Sequence, residues 1–186
     1  MRNILPIVMA LCFTALPLQV QAESKDQQRA EIRTTSKSIL NKLYKVKPAS
    51  RGAVANAAGY GVFSNFGMKI FLAGGGTGHG MVVDNATNKE VFMKMAEVQA
   101  GLGFGVKKTQ VVFVFETPEA LRQFVNSGWE LGAQATAAAI DGKTGAAYQG
   151  AALVAPGVWM YQMTDKGLAA EITAKGTKYY RNDELN

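Results

Sequence analysis

The sequence predicts an α+β fold: a glycine-rich, mostly antiparallel, strongly curved sheet or small barrel, with helices at its N-terminal side and one inserted helix. Three observations carry this. Two glycine-dense segments, Phe71–Val83 and Ala100–Phe115, each run into an apolar strand. Glycine weakens an ordinary strand through entropy and lost packing, so glycine at alternate positions needs a reason, such as a strand face pressed against another backbone. Strand-like runs fill the middle and end of the chain, whereas helical periodicity is confined to two places.

The elements follow in order. Residues 1–22 have the form of a cleaved signal peptide: Arg2, an apolar core from Ile4 to about Leu18, and the small-residue site Val20-Gln21-Ala22. Residues 23–186 then form one domain. Residues 23–47 read as an amphipathic basic helix. Ile32, Ile39, Leu40 and Leu43 share one stripe, Arg33 and Lys37 flank it on one side, and Lys42 flanks it on the other. Lys45 faces away from the stripe, and Pro48 stops the helix. Two readings of the stripe stay open: packing on the sheet, or lying in a lipid interface with the basic side chains reaching headgroups.

Ser50 is expected to cap a second, short helix through Ala58, with Gly59 past its end. Strands are expected at Tyr60–Ser64, Met68–Ala73, Met81–Asp84, Val91–Met95, Gly101–Val106 and Gln110–Phe115, with turn chemistry at Asp84–Asn88. Thr117-Pro118-Glu119 opens the inserted helix and Gly128 ends it. Further strands are expected at Gln134–Ile140, Ala146–Val154, Val158–Thr164 and Ala169–Thr173. Phe63, Phe66, Phe71, Phe104, Phe113 and Phe115 read as core, and Trp129, Trp159, Tyr161, Tyr179 and Tyr180 as nearer the surface.

Charge and residue usage bound the function. Removing residues 1–22 from the 186 leaves 164, with 19 basic against 14 acidic side chains. That mild excess suits an anionic surface, and export to the periplasm argues against nucleic acid as the partner. Cys12 lies inside the signal segment, so the mature chain has neither disulfide nor thiol nucleophile. His79 is the sole histidine, which excludes a His–His metal pair, and its expected role is structural or solvent-exposed. Neither glycine segment contains the G-x-G-x-x-G register, and no G-x-S-x-G elbow is present. No cofactor, metal or enzymatic activity is predicted; the catalytic alternative is a hydrolase using His79.

Several motifs in series resemble one family. Ala55–Phe63 resembles an alanine-glycine segment before an apolar "VF". Gly74–Gly80 followed by Met81-Val82-Val83 resembles a "GG-x-x-G-x-G" hairpin, and Gly101–Gly105 leads to Val111–Phe115. Lys166-Gly167-Leu168, Gly176 and Tyr179-Tyr180 resemble the closing segment. In this order they resemble the SYLF domain, in its stand-alone exported bacterial form. The resemblance implies non-catalytic binding of anionic phospholipids, with Arg33, Lys37, Lys42 and Lys45 for headgroups and Ile32, Ile39, Leu40 and Leu43 for the apolar face. In a periplasm the target would be phosphatidylglycerol or cardiolipin. The alternative is a periplasmic protein-interaction or envelope-structure module that docks a partner protein through the same helix face.

Overall fold

The computed structural model describes residues 23–70, 73–100, 105–131, 148–164, 167–168 and 176–186. The first helix, α1 (Lys25–Val46), starts at a capping box: the Ser24 hydroxyl accepts from the Gln27 amide, and the Gln27 side chain accepts from the Ser24 amide. The short α2 (Ser50–Asn56) follows. Its cap position is Ala49 and not Ser50, because the Ser50 hydroxyl turns back to the Lys47 carbonyl at 2.6 Å.

Strands β1 (Gly59–Ile70), β2 (Ala73–Asp84), β3 (Glu90–Ala100) and β4 (Gly105–Phe115) are long. β1 is continuous where the apolar pattern predicts two strands, and β2 includes the glycine segment itself. Backbone pairing of Asn65 with Gly78 and of Gly67 with Gly76 carries the ladder through residues that have no strand propensity. The β2–β3 turn is built as its residues predict. Asp84 Oδ1 accepts from the amides of Ala86 and Thr87, and Asn88 takes a positive φ of 56°. Helix α3 (Pro118–Ser127) has Thr117 as its cap and ends at Gly128, where φ is 65°.

The remaining strands are β5 (Trp129–Leu131), β6 (Ala152–Ala155), β7 (Val158–Thr164), β8 (Gly167–Leu168) and β9 (Gly176–Arg181). β5 and β9 are additions to the predicted set. The expected strands at 134–140 and 169–173 lie outside the described residues, as do residues 1–22. The sheet order is β5-β9-β3-β2-β1-β4-β7-β6, with β8 beside β7, and every pairing among the described residues is antiparallel.

This sheet is strongly curled. β9 and β4 are four strand steps apart, a distance of roughly 19 Å in a flat sheet. Yet the rings of Tyr179 on β9 and Phe113 on β4 have centroids 5.1 Å apart, and Trp129 on β5 comes within 5.6 Å of Phe113. The concave face holds Phe63, Met93, Met95, Phe113, Phe115, Met160 and Tyr179, closed off by Leu121 and Phe124 of α3. Where the sheet bends, side-chain positions on this face converge. A Cβ on Gly80 would overlap the Val62 carbonyl oxygen and stand 2.5 Å from Phe63 Cδ1; one on Gly78 would overlap the Ser64 carbonyl oxygen and stand 2.9 Å from Met95 Cγ. The alternating glycines therefore mark a close approach, as the sequence pattern requires.

The aromatic partition differs from expectation. Phe63, Phe113 and Phe115 are core, but so are Tyr161, Tyr179 and Trp159, and among the five expected near the surface Tyr180 alone is exposed. Curling encloses β9, so Tyr179 sits among four aromatic rings; Tyr161 is buried in the same cluster as Ile39 and Leu43 of α1, and Trp159 stacks on Tyr148 with ring centroids 4.5 Å apart. Burial raises the Tyr161 hydroxyl to about 12 and the Tyr179 hydroxyl further, the Glu97 carboxylate adding to the latter.

Two outcomes follow. Gly80→Ala should lose about 1–3 kcal/mol of stability by urea unfolding, while Gly176→Ala, with open space around its Cβ, should change it by less than about 0.5 kcal/mol; equal effects would contradict the close-approach account. A tyrosine whose folded pKa is raised stabilises the fold fully below its unfolded value near 10 and loses that contribution as pH rises toward the folded value. Stability should thus fall above pH 10, and less steeply in Tyr179→Phe.

Candidate functional site

The candidate site is α1 and the surface beside it. Alternation along the strands leaves a second apolar face on the convex side of the sheet: Val62, Met81, Val83, Phe92, Val112, Val114, Tyr161 and Met163. α1 lies across it. Ile39 and Leu43 are 1% and 0% exposed against Val62, Val112, Val114 and Tyr161. Ile32 packs with Met81, Val83, Phe92 and Leu185. Ser36 is buried on the same stripe, and Leu40 is half-buried at its margin. Of the two readings of the stripe, packing on the sheet is the one the structure shows.

The four predicted basic residues separate into two kinds. Lys42 is tied to the sheet, its Nζ donating to the Thr164 carbonyl at 2.8 Å and to Gln110 Oε1 at 3.2 Å. Arg33 pairs with Glu90 at 2.7 Å and lies over the Phe92 ring, 5.2 Å from its centroid. Lys37 and Lys45 are exposed. Neither forms an ion pair among the described residues. Lys37 and Lys45 thus point outward from the helix, while Lys42 and Arg33 fasten it to the sheet.

The fold adds cations that helix spacing does not group. Beside Arg33, a groove of about 480 Å³ is lined by Arg29, Arg33, Lys89 and Arg181 against the carboxylates Asp26 and Glu90. Arg29 pairs with Asp26 at 2.8 Å, and Arg181 is 3.6 Å from Asp183. A second groove, of about 290 Å³, shares Arg33, Asn88 and Glu90 with the first and runs past Lys37, Leu40 and Tyr60. Lys89 comes from the β2–β3 turn and Arg181 from the end of β9, so β3–β9 pairing assembles this cationic edge, and linear spacing carries no signal for it.

His79 is exposed on β2, and no group of three potential metal ligands occurs among the described residues. No helix among them is long and apolar enough to cross a membrane.

Comparison with known proteins adds two findings. The family model described as "Ysc84: Las17-binding protein actin regulator" matches residues 96–186. Beta cell expansion factor A of Aeromonas veronii is 30% identical over 163 residues, which is 86% of this chain and 59% of that protein. The chain thus spans about three fifths of the length of this relative.

The packing account sets a contrast along one helix. Leu43→Ala should cost about 2–5 kcal/mol in urea unfolding, and Lys37→Ala less than about 0.5 kcal/mol. Similar costs for the two would mean that the stripe does not hold α1 to the sheet.

Proposed function

The chain belongs to the SYLF family, whose Ysc84 model its residues 96–186 match, and on that footing we propose that it binds anionic phospholipid surfaces without catalysis. The observation that carries the proposal is the outward face of α1, where Lys37 and Lys45 are exposed and form no ion pair among the described residues, and the groove of Arg29, Arg33, Lys89 and Arg181 lies alongside. Basic residues near an anionic bilayer contribute about 1 kcal/mol each. Contact of this kind is peripheral, weak and salt-sensitive. Neither matched name describes an enzyme, which agrees with a non-catalytic reading.

The signal-like residues 1–22 support export, and a periplasmic location supplies phosphatidylglycerol and cardiolipin as targets. Headgroup contact is assigned to Lys37, Lys45 and Arg33, with Lys42 joining if α1 leaves the sheet. The stripe of Ile32, Ile39, Leu40 and Leu43 would enter the lipid in that second state. Docking of an envelope protein is the other reading. It draws on the family description, which names protein binding, and on Val98, 71% exposed on the convex side of β3.

Vesicle co-sedimentation tests the proposal. The chain should sediment with phosphatidylglycerol-containing vesicles and not with neutral phosphatidylcholine vesicles. Replacing Lys37 and Lys45 together by Gln removes about 2 kcal/mol, a weakening of roughly 30-fold. Equal binding to both vesicle types, or no loss in the double variant, would refute the electrostatic assignment; absence of binding to either would favour the protein-docking reading.

A further inference from the structure

The last five residues turn back over β3 and reach α1. The Asn182 amide donates to the Phe92 carbonyl at 3.0 Å. The Asn186 side chain pairs with both backbone groups of Phe92, its Nδ2 donating to the carbonyl at 2.8 Å and its Oδ1 accepting from the amide at 3.0 Å. The same Nδ2 donates to the Asn182 carbonyl at 2.7 Å, which closes the tail into a loop. Between these fastenings Leu185 is 3% exposed, seated with Ile32, Met81, Val83 and Phe92. Its carbonyl accepts from Arg29 Nε at 2.8 Å.

The tail thus holds α1 at Arg29 and Ile32, one turn apart. Among the described residues, this half of the helix has one other polar tie to the sheet, the Arg33–Glu90 pair, whose side chains are 45% and 31% exposed; exposed pairs of this kind add little. The C-terminal half is held differently, by Ile39 and Leu43 in a cluster that contains no tail residue. The tail's seat also carries a cost. Asn182 is buried, and no donor among the described residues reaches its Oδ1; a buried acceptor left unsatisfied favours release to water.

We propose that Asn182–Asn186 is a latch on the N-terminal half of α1, and that opening it frees Ile32 and the start of the apolar stripe while Ile39 and Leu43 stay seated. As a control on membrane attachment, this rests on the lipid reading above; as a mechanical device, it stands without it. The latch makes α1 a helix of two stabilities.

Hydrogen exchange read by mass spectrometry on the full chain, alone and with phosphatidylglycerol vesicles, separates the two. Asn186→Ala removes all three side-chain bonds of an exposed residue and leaves the core untouched; Leu185→Ala is the stronger variant. In both, amides of residues 25–33 should exchange at least tenfold faster, with residues 39–46 and the β1–β4 amides unchanged. Uniform acceleration along α1, or none, overturns the latch. If residues 25–33 accelerate and vesicle binding strengthens, latch and lipid reading are both supported. If they accelerate while neither parent nor variant binds vesicles, the latch holds and the lipid reading fails.

Discussion

Close backbone approach at the bend of the sheet is the constraint on which the remaining structure depends. The ladder from β9 to β4 can bring Tyr179 against Phe113 only if the strands between them curl, and curling crowds the concave face. Gly78 and Gly80 relieve that crowding on β2, opposite Asn65 and Phe63. Once the sheet is curled, its inside is small enough for a few aromatic rings and one helix to fill. Phe63, Phe113, Phe124 and Tyr179 do so with centroids 4.8–6.0 Å apart, the range in which edge and tilted ring contacts add to simple burial.

The convex face inherits a different problem. It is apolar along β1, β2, β4 and β7 and must be covered, and α1 is the element that covers it. Magnitudes decide what this means for membrane attachment. Burying Ile32, Ile39 and Leu43 is worth roughly 5–9 kcal/mol together, at about 1.5–3 each. A pair of exposed lysines near an anionic surface supplies about 2 kcal/mol. On the proposed lipid reading, charge alone would bring the protein to the surface with α1 still packed. On the same reading the stripe would leave the sheet only where lipid offered it an equivalent apolar environment, and the latch proposal makes its N-terminal end, with Ile32, the end where that exchange would cost least.

Much of this was legible in the chain, and the misses have physical causes. The helix stripe, the Thr117 cap, the Gly128 stop and the Asp84–Asn88 turn are local patterns, and each is found where its chemistry places it. The break expected within β1 reflects the polar and glycine residues Asn65 and Gly67, which strand propensity disfavours and which the facing glycines of β2 make acceptable. A phenol tolerates one wet end, so the sequence places Tyr179 and Tyr161 near the surface; what encloses them is long-range, β9 curling over β4 and the apolar cluster that Ile39 and Leu43 of α1 share with Tyr161. The candidate site divides similarly. Lys37 and Lys45 are readable from helical spacing, but Arg29, Lys89 and Arg181 meet Arg33 only through strand pairing, and Lys42 finds its partners on β4 and β7.

The most direct measurement is the affinity for phosphatidylglycerol vesicles across a series of ionic strengths, with circular dichroism confirming that the fold is unchanged. Screening acts on exposed charges over about 10 Å at 0.1 M salt and about 3 Å at 1 M. If Lys37, Lys45 and the neighbouring arginines make the contact, affinity should fall steadily through that range and vanish near its upper end. Affinity that stays constant with salt would contradict the account, because it would place the binding energy in apolar insertion and not in the charged face of α1.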